Sequence, residues 1–289
     1  MVIEVLLITL TLIVLTIASI TDIRTKEVPD WLSYAFLASV IFLKILDVLL
    51  FHNFKSFLLG MLGFAIFFAI GNFMYYTRQW GGGDAKLLMG MGVALNPYPS
   101  LLLSYTTPNL NIPFLLIIVL NILIIGAVYG IIAALFLALK HRDKVKKEIY
   151  TILKTNRKSQ VLLLIISALF LILSLIITKD PFLRMVSLVL IAFFICFMYL
   201  LVFIRAVEQG TMYKNLSTKK LAEGDWIVHP ILLKKKLIYS PKSLGVTKKQ
   251  ILLIQKARIK SVLVKEGIPF IPPFLIATIL SLIFGNLLF

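Results

Sequence analysis

VIEVLLITLTLIVLTIASITD, residues 2–22, is an apolar run that ends on an acid, Asp22. At about twenty residues it is long enough for a helix to cross the hydrocarbon core of a bilayer. It lacks a basic start, carries Glu4 and exceeds the apolar core of a signal peptide, so it is expected to remain as a membrane helix. A carboxylate at membrane depth is costly, which makes Asp22 a functional candidate by default. Asp84 is a second such acid, in Gly81-Gly82-Gly83-Asp84-Ala85-Lys86 between two more apolar stretches. Two acids of this kind, one beside a flexible glycine turn, point to a site where carboxylates share a proton.

Composition agrees with the opening run. The 289 residues are 60% hydrophobic and 15% charged, with a mean hydropathy of +0.98, which excludes an ordinary soluble domain. Cys196, the single cysteine, lies inside an apolar run and excludes an intrachain disulfide or a cysteine-based zinc cluster. The net charge of +17 tempts a nucleic-acid reading. Positive-inside bias and attraction to anionic headgroups explain it without one. Membrane lipids are therefore expected partners, and nucleic acid is not.

The pattern predicts an all-α polytopic membrane protein with about eight transmembrane helices, six at the least. The spans fall near residues 2–20, 32–51, 56–74, 85–104, 113–139, 161–178, 182–204 and 272–289. The fourth is the weakest, because Asn96-Pro97-Tyr98-Pro99 interrupts it and proline cannot donate to a helix. Charge bears on the count. Residues 140–160 hold eight basic side chains, and residues 205–267 hold fourteen against four acids. If all eight spans cross, both basic segments share one side with Asp22 and Asp84, and that side is cytoplasmic.

Three regions follow: a transmembrane catalytic core (1–204), a basic cytoplasmic segment (205–267) and a final transmembrane helix (268–289). Within the basic segment, Thr247-Lys248-Lys249-Gln250 resembles a capping box. Ile251, Ile254, Ile259 and Val262 follow among lysines and arginine, and Gly267 can end the helix. This reads as a basic amphipathic helix lying on the inner leaflet.

The loop from Asp22 to Leu32 has a plain reading as a polar turn, with Val28-Pro29 extended and Asp30 capping the second helix. That suits Asp30 but not Asp22, which sits at a helix C-terminus where the dipole disfavours negative charge. Gly81 to Asp84 also reads plainly as a turn with a cap. In a membrane chain the signal is stronger, because bare backbone there needs protein or water around it. Glycines also let a peptide approach closely. Two carboxylates sharing one proton supply the acid and the base that peptide hydrolysis needs.

Three motifs together resemble the type IV prepilin peptidases, most of all the archaeal preflagellin and prepilin branch. They are Asp22 with Val28-Pro29-Asp30-Trp31-Leu32, Gly81-Gly82-Gly83-Asp84-Ala85-Lys86-Leu87-Leu88, and Gly267-Ile268-Pro269-Phe270-Ile271-Pro272-Pro273-Phe274. The resemblance implies a membrane-embedded aspartyl endopeptidase that removes short basic leaders from pilin-like or archaellin precursors at the cytoplasmic face of the cell membrane. It implies Asp22 and Asp84 as catalytic, with Gly81, Gly83, Lys86, Pro269 and Phe270 in support. It implies no cofactor. Asp30 stands where relatives often carry Asn. The cysteine-rich region of bifunctional bacterial enzymes is missing, which argues against an added methyltransferase activity.

Glu27 and Asp30, close to Asp22, are candidates for holding the leader's basic charges. Glu4, Asp47 and Asp180 fall towards the opposite face and read as interfacial. Glu223-Gly224-Asp225 reads as a turn. His52, His141 and His229 are scattered and have no metal-ligand spacing. Two other classes compete. A protease of the presenilin or signal-peptide-peptidase kind places its first aspartate in a Tyr-Asp pair inside a helix, whereas Asp22 follows Thr21. A proton-coupled transporter predicts acids near the bilayer midplane and two related halves, and neither pattern is present.

Overall fold

The computed structural model describes residues 2–177, 179–233, 236–241 and 243–288. Thr178 and Phe289, the expected ends of two spans, lie outside these. The chain divides into two compact units, residues 1–131 with 267–289, and residues 132–266.

The first unit is a helical bundle of α1 (Val2–Thr25), α2 (Asp30–Phe51), α3 (Phe54–Tyr76), α4 (Gly82–Leu95), the start of α5 (Phe114–Lys140) and α10 (Ile271–Phe284). Three helices of the second unit precede its sheet: α6 (Arg142–Thr155), α7 (Arg157–Ile177) and α8 (Pro181–Val207). Six helices among the described residues are long and apolar enough to cross a membrane: α1, α2, α3, α5, α7 and α8. The protein is therefore multi-pass, as the run pattern predicts. The other two expected spans are only partly helical. At 14 residues each, α4 and α10 rise about 21 Å, short of a hydrocarbon core of about 30 Å.

Proline explains the first of these shortfalls. Asn96 ends α4 and Pro97 and Pro99 follow, so the chain continues through a 3-10 turn at Ser100–Ser104. That turn reaches the start of α1, where the Ser100 hydroxyl and the Leu101 N–H donate to the Glu4 carboxylate at 2.8 and 2.9 Å. From the Asp22 end of α1 to its Glu4 end, α4 and its extension thus cover the length of the helix. α10 runs the same way. Ile271 lies at Asp22, and the Leu282 carbonyl accepts from the Tyr98 hydroxyl at 2.8 Å. Gly285, at φ +73°, ends it.

Close approach holds α4 in the bundle. A Cβ on Gly63 of α3 would overlap the Gly92 carbonyl of α4, and one on Gly92 would overlap the Gly63 carbonyl. Small residues allow this backbone contact, which packs helices where no hydrophobic force separates protein from lipid. A buried cation closes the far end. The Lys44 ammonium donates to Ser56 Oγ at 2.9 Å and to the Asn96 carbonyl at 3.2 Å, where the C-terminus of α4 welcomes positive charge.

The second unit holds both basic segments and changes the reading of the helix in the second. Residues 142–155 form α6, whose Val145 and Ile152 are buried with Ala134, Ala206 and Val207 while its lysines face outward. After α8, a π-helical turn at Glu208–Met212 leads into a small sheet. β5 (Ser261–Lys265) lies antiparallel between β1 (Tyr213–Ser217) and β2 (Trp226–Ile227). β3 (Ile231–Leu233) and β4 (Lys236–Tyr239) form a hairpin. The Thr247–Gln250 capping box is present and starts α9 (Lys248–Lys256).

That helix does not run on to Gly267. It stops at Lys256, and the stretch through Val262 and Val264 pairs as β5, because alternating β-branched residues fit a half-buried strand. Ile251 and Ile254 are buried with Leu221, Ile227, Tyr239 and Val264. The sheet, not a leaflet, covers the apolar face of α9. Glu223-Gly224-Asp225 is a turn, with Gly224 at φ +97° and Asp225 accepting from the Ala222 N–H at 2.8 Å. Burial raises the Asp225 carboxyl above its ordinary range.

Candidate active site

Asp22 lies in the last turn of α1, which runs three residues beyond it, and only 6% of it is exposed. Its Oδ2 accepts from the Ile271 N–H at 2.9 Å. Local sequence makes that donor available. Pro272 and Pro273 have no N–H, so Ile271 is the donor that the first turn of α10 presents. The start of α10 is fixed by aromatic packing. The Phe270 ring lies 6.2 Å from Trp80 and 6.0 Å from Phe274, and Trp80 lies 5.1 Å from Phe274. Gly126 of α5 is the platform under it, since a Cβ there would strike the Phe270 ring. Pro269 enters the turn just before.

Asp84 is the third residue of α4. Its Oδ2 accepts from the Gly81 N–H at 2.9 Å, reaching back across the first turn. Gly83 packs on Val28, where a Cβ would come within 2.8 Å of the Val28 Cβ. The glycine turn and the loop after Asp22, 55 positions apart in sequence, therefore lie against each other, and the two carboxyl groups come within electrostatic range of one another. Lys86, one turn into α4, donates to Asp30 Oδ1 at 2.6 Å and lies over the Tyr34 ring, 5.1 Å from its centre. Glu27 is exposed in the loop between α1 and α2.

One electrostatic expectation changes. The sequence places Asp22 at a helix C-terminus, where charge is disfavoured. The bundle also sets it against the N-terminus of α10, whose dipole acts in the opposite sense. Each aspartate thus accepts a backbone N–H at a helix start.

Sequence reasoning missed Trp80, Tyr34 and Tyr129. Trp80 is buried immediately before the glycine turn. Tyr129 sits three residues after Gly126 on α5, half-buried and within reach of the Asp22 charge. An aromatic in a hydrophobic chain carries no signal of its own. Only the position of Trp80 next to Gly81 hinted at it. Among the described residues no three His, Cys, Asp or Glu side chains gather as metal ligands would.

Comparisons with known proteins follow the same residues. Residues 9–135 match the type IV leader peptidase family. A preflagellin peptidase of Methanocaldococcus jannaschii is 36% identical over 87 residues, which are 29% of this chain and 36% of that protein. An uncharacterized protein of the same organism is 33% identical over 112 residues, 37% of this chain and 42% of that protein. The matched stretches thus span less than half the length of either relative. No solved structure matches. The segment that carries Asp22, Asp84 and the whole glycine turn is thus the part of the chain that matches the type IV leader peptidase family, the family that the motifs resemble.

Proposed function

We propose that this protein is a membrane-embedded aspartyl endopeptidase that cuts short basic leaders from prepilin- or preflagellin-type precursors at the cytoplasmic face. The observation that carries this reading is the convergence of two carboxylates from distant parts of the chain. Asp22 is held by the start of α10 and Asp84 by the glycine turn. Two carboxylates in one site share a proton, so one activates water while the other donates to the peptide. Water attacks the scissile carbonyl carbon. The ionised aspartate takes the water's proton, and the protonated one supplies the leaving amine. The titration belongs to the pair rather than to either residue.

The glycines suit a peptide substrate, since a partly exposed turn without side chains lets an extended backbone come close to Asp84. The test is co-expression with precursors bearing a basic leader before an apolar helix, read as a mobility shift on leader removal. No shift with any such precursor, from protein that reaches the membrane, would remove the proposal.

Orientation is tested separately. The charge pattern puts residues 140–160 and 205–267 on the cytoplasmic side. In a Cys196→Ser background, single cysteines at Lys154 and Lys256 should both resist a membrane-impermeant thiol reagent in intact cells and react after permeabilisation. Labelling of one and not the other in intact cells would overturn the assignment of both segments to one side.

A further inference from the structure

Lys86 is held twice beside the glycine turn. Its ammonium donates to Asp30 Oδ1 at 2.6 Å and lies over the Tyr34 ring at 5.1 Å from the centre. Asp30 opens α2 and Tyr34 stands four residues on, so both side chains lie on one face of the first turn. A carboxylate gives a cation a charge-assisted hydrogen bond, and an aromatic face gives it a quadrupole. Together they make a small cation receptor, filled by a cation of the chain itself.

The receptor is open. The Asp30 side chain is 67% exposed, and Tyr34 is exposed as well. An ion pair exposed to this degree contributes little to stability, so one cation can replace another at nearly equal free energy. The receptor also borders the cutting site. Lys86 lies two residues after Asp84, and Val28, just before the receptor, packs on Gly83.

We propose that Asp30 and Tyr34 form the subsite for a lysine or arginine side chain of the precursor's leader, with Lys86 as the resident cation that the leader displaces. The proposal rests on the peptidase reading above and gives it a charge-reading subsite. It narrows the acids that hold the leader to Asp30. The receptor does not require Glu27.

The test pairs enzyme and substrate changes. Purified protein is assayed in detergent on a precursor with its basic leader and on the same precursor with the leader's Lys and Arg replaced by Gln. Asp30→Asn should raise KM for the basic leader about fivefold, more than it lowers kcat, and Tyr34→Leu should raise it by a smaller factor. Neither change should alter KM for the neutral leader. Lys86→Met removes the competing cation and should lower KM for the basic leader about threefold. A purely structural ion pair predicts otherwise: Asp30→Asn and Lys86→Met would then move KM the same way, and leader charge would not matter. Either of those results overturns the proposal. The Asp30 and leader-charge cycle stands without the Lys86 variant, should that variant fold poorly. Wild-type protein that cuts neither precursor is a different outcome, because it sinks the peptidase reading itself.

Discussion

Asn in place of either Asp22 or Asp84 should lower precursor cleavage by roughly 10³-fold or more, and the double replacement should cost little beyond either single one, because in the proposed mechanism the two carboxylates act as a unit. The structure makes the substitutions clean. An Asn side chain at position 22 can still accept from the Ile271 N–H, and one at position 84 can still accept from the Gly81 N–H. The folds around α10 and the glycine turn are therefore retained, while the exchangeable proton is lost. Two acids outside the site serve as controls. Asp47 is buried against the Asn53 amide at 3.0 Å, and Asp225 closes a turn in the second unit. Asp47→Asn and Asp225→Asn should keep substantial activity. Cleavage near the wild-type rate with Asn at 22 or 84 would rule out the aspartyl mechanism.

Those two acids stand out in the sequence because hydrocarbon sets so harsh a standard. An acid at the end of a twenty-residue apolar run needs a reason, and Asp22, unlike the capping Asp84, lacked an ordinary one. The multi-pass class was legible for the same cause, since run length and hydropathy measure the bilayer directly. The glycine turn was legible because Gly-Gly-Gly admits few alternatives.

What the sequence hid was pairing across distance. Nothing local says that the α10 start comes to Asp22, so the polarity argument for Asp22 used one helix end when two act on it. Nor does Asp30 announce its bond to Lys86, 56 positions on. Residues 248–264 misled in another way. A helix with apolar spacing looks the same whether lipid or a sheet covers it, and the strand that follows α9 continues the alternation of apolar and basic residues. The small core around Ile254 and Tyr239 decides between them, and it draws on residues from Leu221 to Val264. A lone lysine in an apolar run, such as Lys44, gives no sign of whether it snorkels to the interface or is buried. Lys44 is in fact buried and holds the C-terminal end of α4.

The same dependence on distant pairing marks Gly63 and Gly92 as positions sensitive to a single added methyl. Each faces the other's backbone carbonyl, and a Cβ on either overlaps it. The obstruction is main chain, which cannot rotate away as a side chain would. Ala at either position must therefore push α3 and α4 apart or shift α4 along its axis. Overpacking of this kind costs about 1–3 kcal/mol. The consequence reaches the site, because α4 begins with the Asp84 turn and Gly71 of α3 packs on Ala85 right behind it, with a Cβ at 71 falling 3.2 Å from the Ala85 carbonyl. A displacement near 1 Å at a catalytic group costs on the order of 10² in rate. Gly63→Ala and Gly92→Ala should each lower the midpoint of thermal unfolding in detergent and cut activity per folded molecule. Gly130→Ala is the matched control. Nothing lies within 4 Å of a Cβ there, and alanine is the better helix former by about 1 kcal/mol, so its unfolding midpoint should stay the same or rise. If Gly63→Ala matched Gly130→Ala in both measurements, the two helices would not be held by backbone contact, and the position of Asp84 would need another cause.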